Sequence, residues 1–90
     1  MNIYAVIKTD TNEVLGTALE NDGMFLSHLL EEGEAKDTES LIAAVEAAGE
    51  PPVIYFILAG SDADGLVTHY AEKGRGVVHL EHIGVAEYNQ

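Results

Sequence analysis

Four histidines, at positions 28, 69, 79 and 82, are the side chains in this sequence best suited to hold a metal ion. A zinc site needs three or four ligands drawn from thiolate, imidazole and carboxylate groups. Cysteine is absent and no H-E-x-x-H pattern occurs. Alternation along a strand puts His79 and Glu81 on one face of His79-Leu80-Glu81. If residues 66–72 and 77–88 pair as a hairpin, His69 and His82 share the other face, diagonally across the strands. Neither face collects three ligands, so the histidines read as strand-surface residues and no metal or cofactor is expected.

Asp62-Ala63-Asp64-Gly65 matches the middle of a calcium loop. In that register the first and twelfth loop positions fall on Gly60 and Ala71, which lack the side-chain oxygens calcium requires. A turn held by aspartate side chains is the expectation instead. The serines are Ser27, Ser40 and Ser61. Ser61 lies in a Gly60–Gly65 loop, but no G-x-S-x-G surrounds it and no phosphate-cradling G-x-x-x-x-G-K-[ST] occurs. Carboxylate pairs are plentiful, yet a sheet of this size with one helical layer has little room for a deep pocket. The expectation is a protein that is not an enzyme.

The elements that position these residues follow from hydrophobic period and turn chemistry. Residues 2–8 and 14–20 read as strands joined at Asp10-Thr11-Asn12-Glu13. Gly16 marks a bulge or a close backbone approach. Residues 24–32 read as a short helix with Phe25, Leu26, Leu29 and Leu30 on one face, although so short an apolar pattern also fits a strand. Asp37 or Thr38 caps a second helix to about Ala48, with Leu41, Ile42, Val45 and Ala48 as its stripe. Gly49 and Pro51-Pro52 stop it. Val53–Ala59 is apolar on both faces, the pattern of a central strand. Residues 66–72 and 77–88 read as strands, with Gly74-Arg75 as a two-residue hairpin turn and a bulge or bend at His82-Ile83-Gly84. The expected architecture is one α+β domain over residues 1–90, about five strands in the order β-β-α-α-β-β-β. Its sheet is mostly antiparallel, with the helices on one face.

The chain has 90 residues, with 16 Asp+Glu against 4 Lys+Arg and a net charge of −12. So few basic residues make a poor phosphate-binding surface, and direct binding to nucleic acid or an anionic membrane is not expected. The N-terminus lacks the pattern of a signal peptide. The longest apolar run, Val53–Ala59, is far below the roughly 20 residues of a membrane helix, so a cytoplasmic setting is expected. Residues 20–50 hold nine acids against Lys36 alone. The densest stretch carries Glu31, Glu32, Glu34, Asp37 and Glu39, the candidate partner-binding residues. Such a surface attracts Arg and Lys of a partner, or serves solubility or salt adaptation alone. Tyr4, Tyr55, Tyr70 and Tyr88 offer a second contact patch, and an exposed strand edge offers homodimer pairing.

In size, acidity and absence of catalytic motifs, the chain resembles the small acidic inhibitors that phages and mobile elements direct against host defence, the anti-CRISPR and anti-restriction class. The resemblance rests on general character over the whole chain and on no motif. It implies a non-catalytic protein that inhibits a nucleic-acid-binding partner by covering its basic surface, as a nucleic-acid mimic does. Three other classes compete with it: a homo-oligomeric interaction or scaffold protein, an antitoxin-like neutraliser of a basic toxin, and a small metal- or ligand-binding enzyme.

Overall fold

A computed structural model describes residues 1–31, 33–47 and 58–86. In chain order the described elements are β1 (Asn2–Lys8), β2 (Val14–Asn21), β3 (Met24–Leu29), α1 (Thr38–Ala47), β4 (Leu58–Ser61), α2 (Ala63–Glu72) and β5 (Val78–Val85). The strands form one sheet ordered β4-β3-β2-β1-β5, and every neighbouring pair is antiparallel. The α+β class read from the sequence is the class observed.

β1 is the centre of the packing. Ile3, Ala5 and Ile7 point to one face, where they meet Leu41 and Val45 of α1. Val6 points to the other, where it meets Leu66 and Tyr70 of α2. The helices therefore cover opposite faces of the sheet, not one face as the sequence suggested. The reason lies in β1 itself: a strand apolar on both sides needs a cover on both sides.

Residues 24–31 do not form a helix. Asp22 and Gly23 both have positive φ, 53° and 81°, and Asn21 pairs with Met24 across them. This is a two-residue hairpin turn whose twist matches antiparallel strands, and it commits Met24–Leu29 to β3. Phe25 and Ser27 face α2, whereas Leu26 faces α1. With both faces buried, the strand reads as a nearly continuous apolar run that also fits a helix.

Residues 66–72 are helical, not extended. Asp62 caps α2, its Oδ1 accepting the Gly65 N–H at 2.8 Å. Leu66 and Tyr70, one turn apart, face the sheet. At the far end the Arg75 N–H bonds the Tyr70 carbonyl and the Gly74 N–H bonds the Ala71 carbonyl, both at 3.0 Å. That pair of bonds is a Schellman cap, and Gly74 takes the left-handed residue at φ 76°. A hairpin with glycine first would need a positive φ at the same position, so the glycine alone does not separate the two readings. The hairpin expected at Lys73–Gly76 is thus a helix-to-strand connection, and β5 pairs with β1 instead.

Two irregularities read from the sequence are present. Ile3 pairs with Gly84 and Tyr4 with His82, leaving Ile83 as an extra residue in β5. Val6 pairs with Gly16 and Ile7 with Val14, leaving Leu15 extra in β2. The helix expected from Asp37 or Thr38 is α1. Of the central strand expected over 53–59, residues 53–57 lie outside the described residues, and the part seen in β4 stands at a sheet edge. Among the described residues no helix is long and apolar enough to cross a membrane.

Candidate partner-binding surface

The acid-rich segment links β3 to α1. Its entry is fixed by the Leu30 N–H, which donates to the Leu15 carbonyl at 2.9 Å. Glu34 then folds the segment back. Its Oε2 accepts the Glu31 N–H at 2.6 Å and its Oε1 lies 3.4 Å from His28 Nε2. Asp37 caps α1: its Oδ2 accepts the Ser40 N–H at 3.0 Å, and its Oδ1 accepts the Ser40 hydroxyl at 2.7 Å. Glu39 sits in the first turn of α1, where the helix dipole favours a negative charge.

Two of the candidate residues thus shape the segment itself. The Glu31 N–H holds the Glu34 carboxyl below its ordinary pKa, aided by His28. The Ser40 hydroxyl, then the Ser40 N–H, does the same for Asp37. Glu31 and Glu39 are exposed, and their carboxylates make no hydrogen bond among the described residues. Glu32 lies outside the described residues.

Tertiary structure changes the charge balance around this segment. Lys36 Nζ donates to Glu13 Oε1 at 3.1 Å, tying the segment to the β1–β2 turn. Lys8 ends β1 beside that turn, and Lys73 and Arg75 occupy the α2–β5 connection, which meets Thr9 through the Val77 carbonyl. All four basic side chains therefore lie at the same end of the sheet as Glu31, Glu34, Asp37 and Glu39.

The opposite end carries Glu20, Asp22, Glu46, Asp62 and Asp64 with no lysine or arginine. Asp22 is in the β2–β3 turn, and Asp62 follows Ser61, which pairs with Phe25. Glu46 adjoins Val45, packed on Ile3 and Leu19. The Glu20 carboxylate accepts the Gly23 N–H at 2.9 Å and the Asn2 amide at 2.8 Å, which lower its pKa in that order. A hollow of about 390 Å³ opens there among Met1, Leu19, Met24, Phe25 and Leu26, with Asp22 in its lining. Counting charge along the chain does not group this set, because its members come from three separate stretches, at 20–22, 46 and 62–64. The Asp22-Gly23 hairpin signal was the available clue, since it sends that turn to the end away from the β1–β2 turn.

The candidate chemistry is dispersed. His28 and His79 lie on the face covered by α1, His82 on the other, and His69 on α2. His79 and Glu81 do share a face, as read from the sequence, but His69 and His82 are not diagonal strand neighbours. Among the described residues no group of three or more His, Cys, Asp or Glu could hold a metal ion. Ser27 is buried, and its hydroxyl donates to the Thr17 carbonyl at 3.0 Å. Ser40 belongs to the α1 cap, and Ser61 ends β4. No family model, curated protein or solved structure matches the chain.

Proposed function

We propose that this chain is a non-catalytic acidic binding protein that inhibits a nucleic-acid-binding partner in the cytoplasm by covering its basic surface, as anti-CRISPR-like inhibitors and nucleic-acid mimics do. The observation that carries the reading is the construction of the Glu31–Glu39 segment. Glu34 and Asp37 hold its backbone, while Glu31 and Glu39 stand exposed on it. Carboxylates on a braced backbone meet a row of Arg and Lys with less ordering cost than carboxylates on a loose tail. The net charge of −12 adds long-range attraction for such a partner.

The test is affinity capture from host lysate at low and high salt, with duplex DNA and RNA as competitors. Glu31→Lys with Glu39→Lys reverses the braced segment without touching the residues that shape it. Asp22→Lys with Asp64→Lys reverses the end that has no lysine or arginine. The expected result is a nucleic-acid-binding protein that is released by salt and by nucleic acid, and lost on the first reversal. Loss on the second reversal alone would move the surface to the other end of the sheet. Capture indifferent to salt, to nucleic acid and to both reversals would overturn the reading.

A further inference from the structure

β5 pairs with β1 along one edge, and among the described residues no strand pairs with its other edge. Backbone bonds just outside the strand show which way its peptide groups point. The Thr9 N–H donates to the Val77 carbonyl at 3.0 Å, so Val77 turns toward β1. Alternation then turns His79 and Glu81 toward β1, and Val78, Leu80 and His82 outward. The extra residue Ile83 bends the strand beyond that point. The regular open edge is therefore Val78–His82.

Between Val78 and His82 this edge lacks two of the usual protections. Native edge strands carry lysine or proline to discourage pairing, and β5 has neither. Its one acidic residue is Glu81. Val77, just before the strand, and Val85, its last residue, are 66% and 56% exposed.

The strand is also complementary to itself. Two copies related by a two-fold axis through the sheet pair antiparallel about one residue. Centring on Glu81 sets two carboxylates face to face. Centring on Leu80 sets each His79 opposite the partner's Glu81, and Val78 opposite the partner's His82. In that register the outward residues Val78, Leu80 and His82 bond one another across the axis. His79 is prepared for the contact: its Nδ1 lies 3.1 Å from Thr9 Oγ1. With that hydroxyl donating, Nε2 carries the hydrogen that a carboxylate accepts. We infer that β5 is a self-recognition edge, through which two copies of this chain join into one continuous antiparallel sheet centred on Leu80. The contact is independent of the acidic surface proposed above.

The test is sedimentation of the full chain from micromolar to millimolar concentration. The wild type should form a dimer whose Leu80 amide becomes protected from hydrogen exchange as concentration rises. Glu81→Lys places an ammonium opposite His79, and His79→Glu places a carboxylate opposite Glu81. Both positions are exposed, so circular dichroism should match the wild type. Each variant alone should dimerise about tenfold or more weakly. An equimolar mixture of the two should recover the dimer, because the introduced charges then face each other. His82→Pro, which removes an outward N–H, should also dissociate it. A wild type that stays monomeric at millimolar concentration, or a dimer that ignores all three substitutions, would overturn the inference.

Discussion

The Tyr70 hydroxyl lies 2.9 Å from Ser27 Oγ, joining the inner face of α2 to the middle of β3. Ser27 donates onward to the Thr17 carbonyl, so the tyrosine is the donor in the first bond. The pair stands over Gly16. A Cβ there would overlap the Tyr70 hydroxyl and come within 2.6 Å of the His28 carbonyl oxygen. The missing side chain at position 16 and the hydroxyl at position 70 are two halves of one fit.

Gly16→Ala should therefore cost about 1–3 kcal/mol by overpacking. Tyr70→Phe should cost about 1–2 kcal/mol by removing a buried hydrogen bond. The double variant should cost less than the two combined, since the lost hydroxyl frees part of the space the methyl needs. Urea midpoints at an unchanged slope would measure all three. Simple additivity would show that the glycine serves some other end.

Asp62→Ala should lower stability by about 1 kcal/mol, because the Gly65 N–H loses its acceptor. Asp62→Ser should keep most of it. Equal losses in the two variants would mean that charge, not capping, is what position 62 supplies.

Stability should fall below about pH 4. Glu20, Glu34 and Asp37 all have folded pKa values depressed by the hydrogen bonds they accept. Depressed carboxylates stabilise fully above their ordinary values and lose that contribution as pH drops through the folded ones. Relief of repulsion among the other acids acts in the opposite direction. The comparison that isolates two of the three, Glu34 and Asp37, is the urea midpoint at pH 7 and pH 3, in wild type and in Glu34→Gln/Asp37→Asn. The variant should lose less on acidification. Parallel losses would assign the acid sensitivity elsewhere.

The opposite-face arrangement has its own consequence. Ile3→Val, under α1, should cost about 0.5–1.5 kcal/mol, and Leu66→Ala, in α2, about 2–5 kcal/mol. With the sheet between them and no shared neighbour, the two costs should add within about 0.5 kcal/mol. Marked coupling would mean that the two helical layers respond to each other through the sheet.

What was legible in the sequence was mostly local. The alternation in Asn2–Lys8, the turn at Asp10–Glu13, the Asp37 cap of α1 and the bulge at Ile83 each depend on a few adjacent residues, and each is present. Gly16 was readable as a close approach, but the hydroxyl that approaches it comes from position 70. Met24–Leu29, for which the sequence leaves helix and strand open, and Leu66–Glu72, which reads as a strand but is helical, are ambiguous for a common reason. Both are short apolar stretches, and the type of each depends on a turn or cap next to it: Asp22-Gly23 for the strand, Asp62 and Gly74 for the helix. The Glu31–Glu39 segment was visible as a run of charge. The division of its acids into bracing and exposed carboxylates was not, because hydrogen-bond partners such as His28 and Ser40 become apparent only once the chain folds back.

By itself the sequence determined the α+β class and the excess of negative charge, since both follow from composition and short-range period. Tertiary structure alone decided that the two helices lie on opposite faces, because that depends on which distant side chains cover each side of β1. It also decided that all four lysine and arginine side chains gather at one end of the sheet, and that among the described residues no strand covers the outer edge of β5. Charge and hydrogen-bonding capacity belong to residues. Where they are neutralised, and where they remain available, depends on which segments the fold brings together.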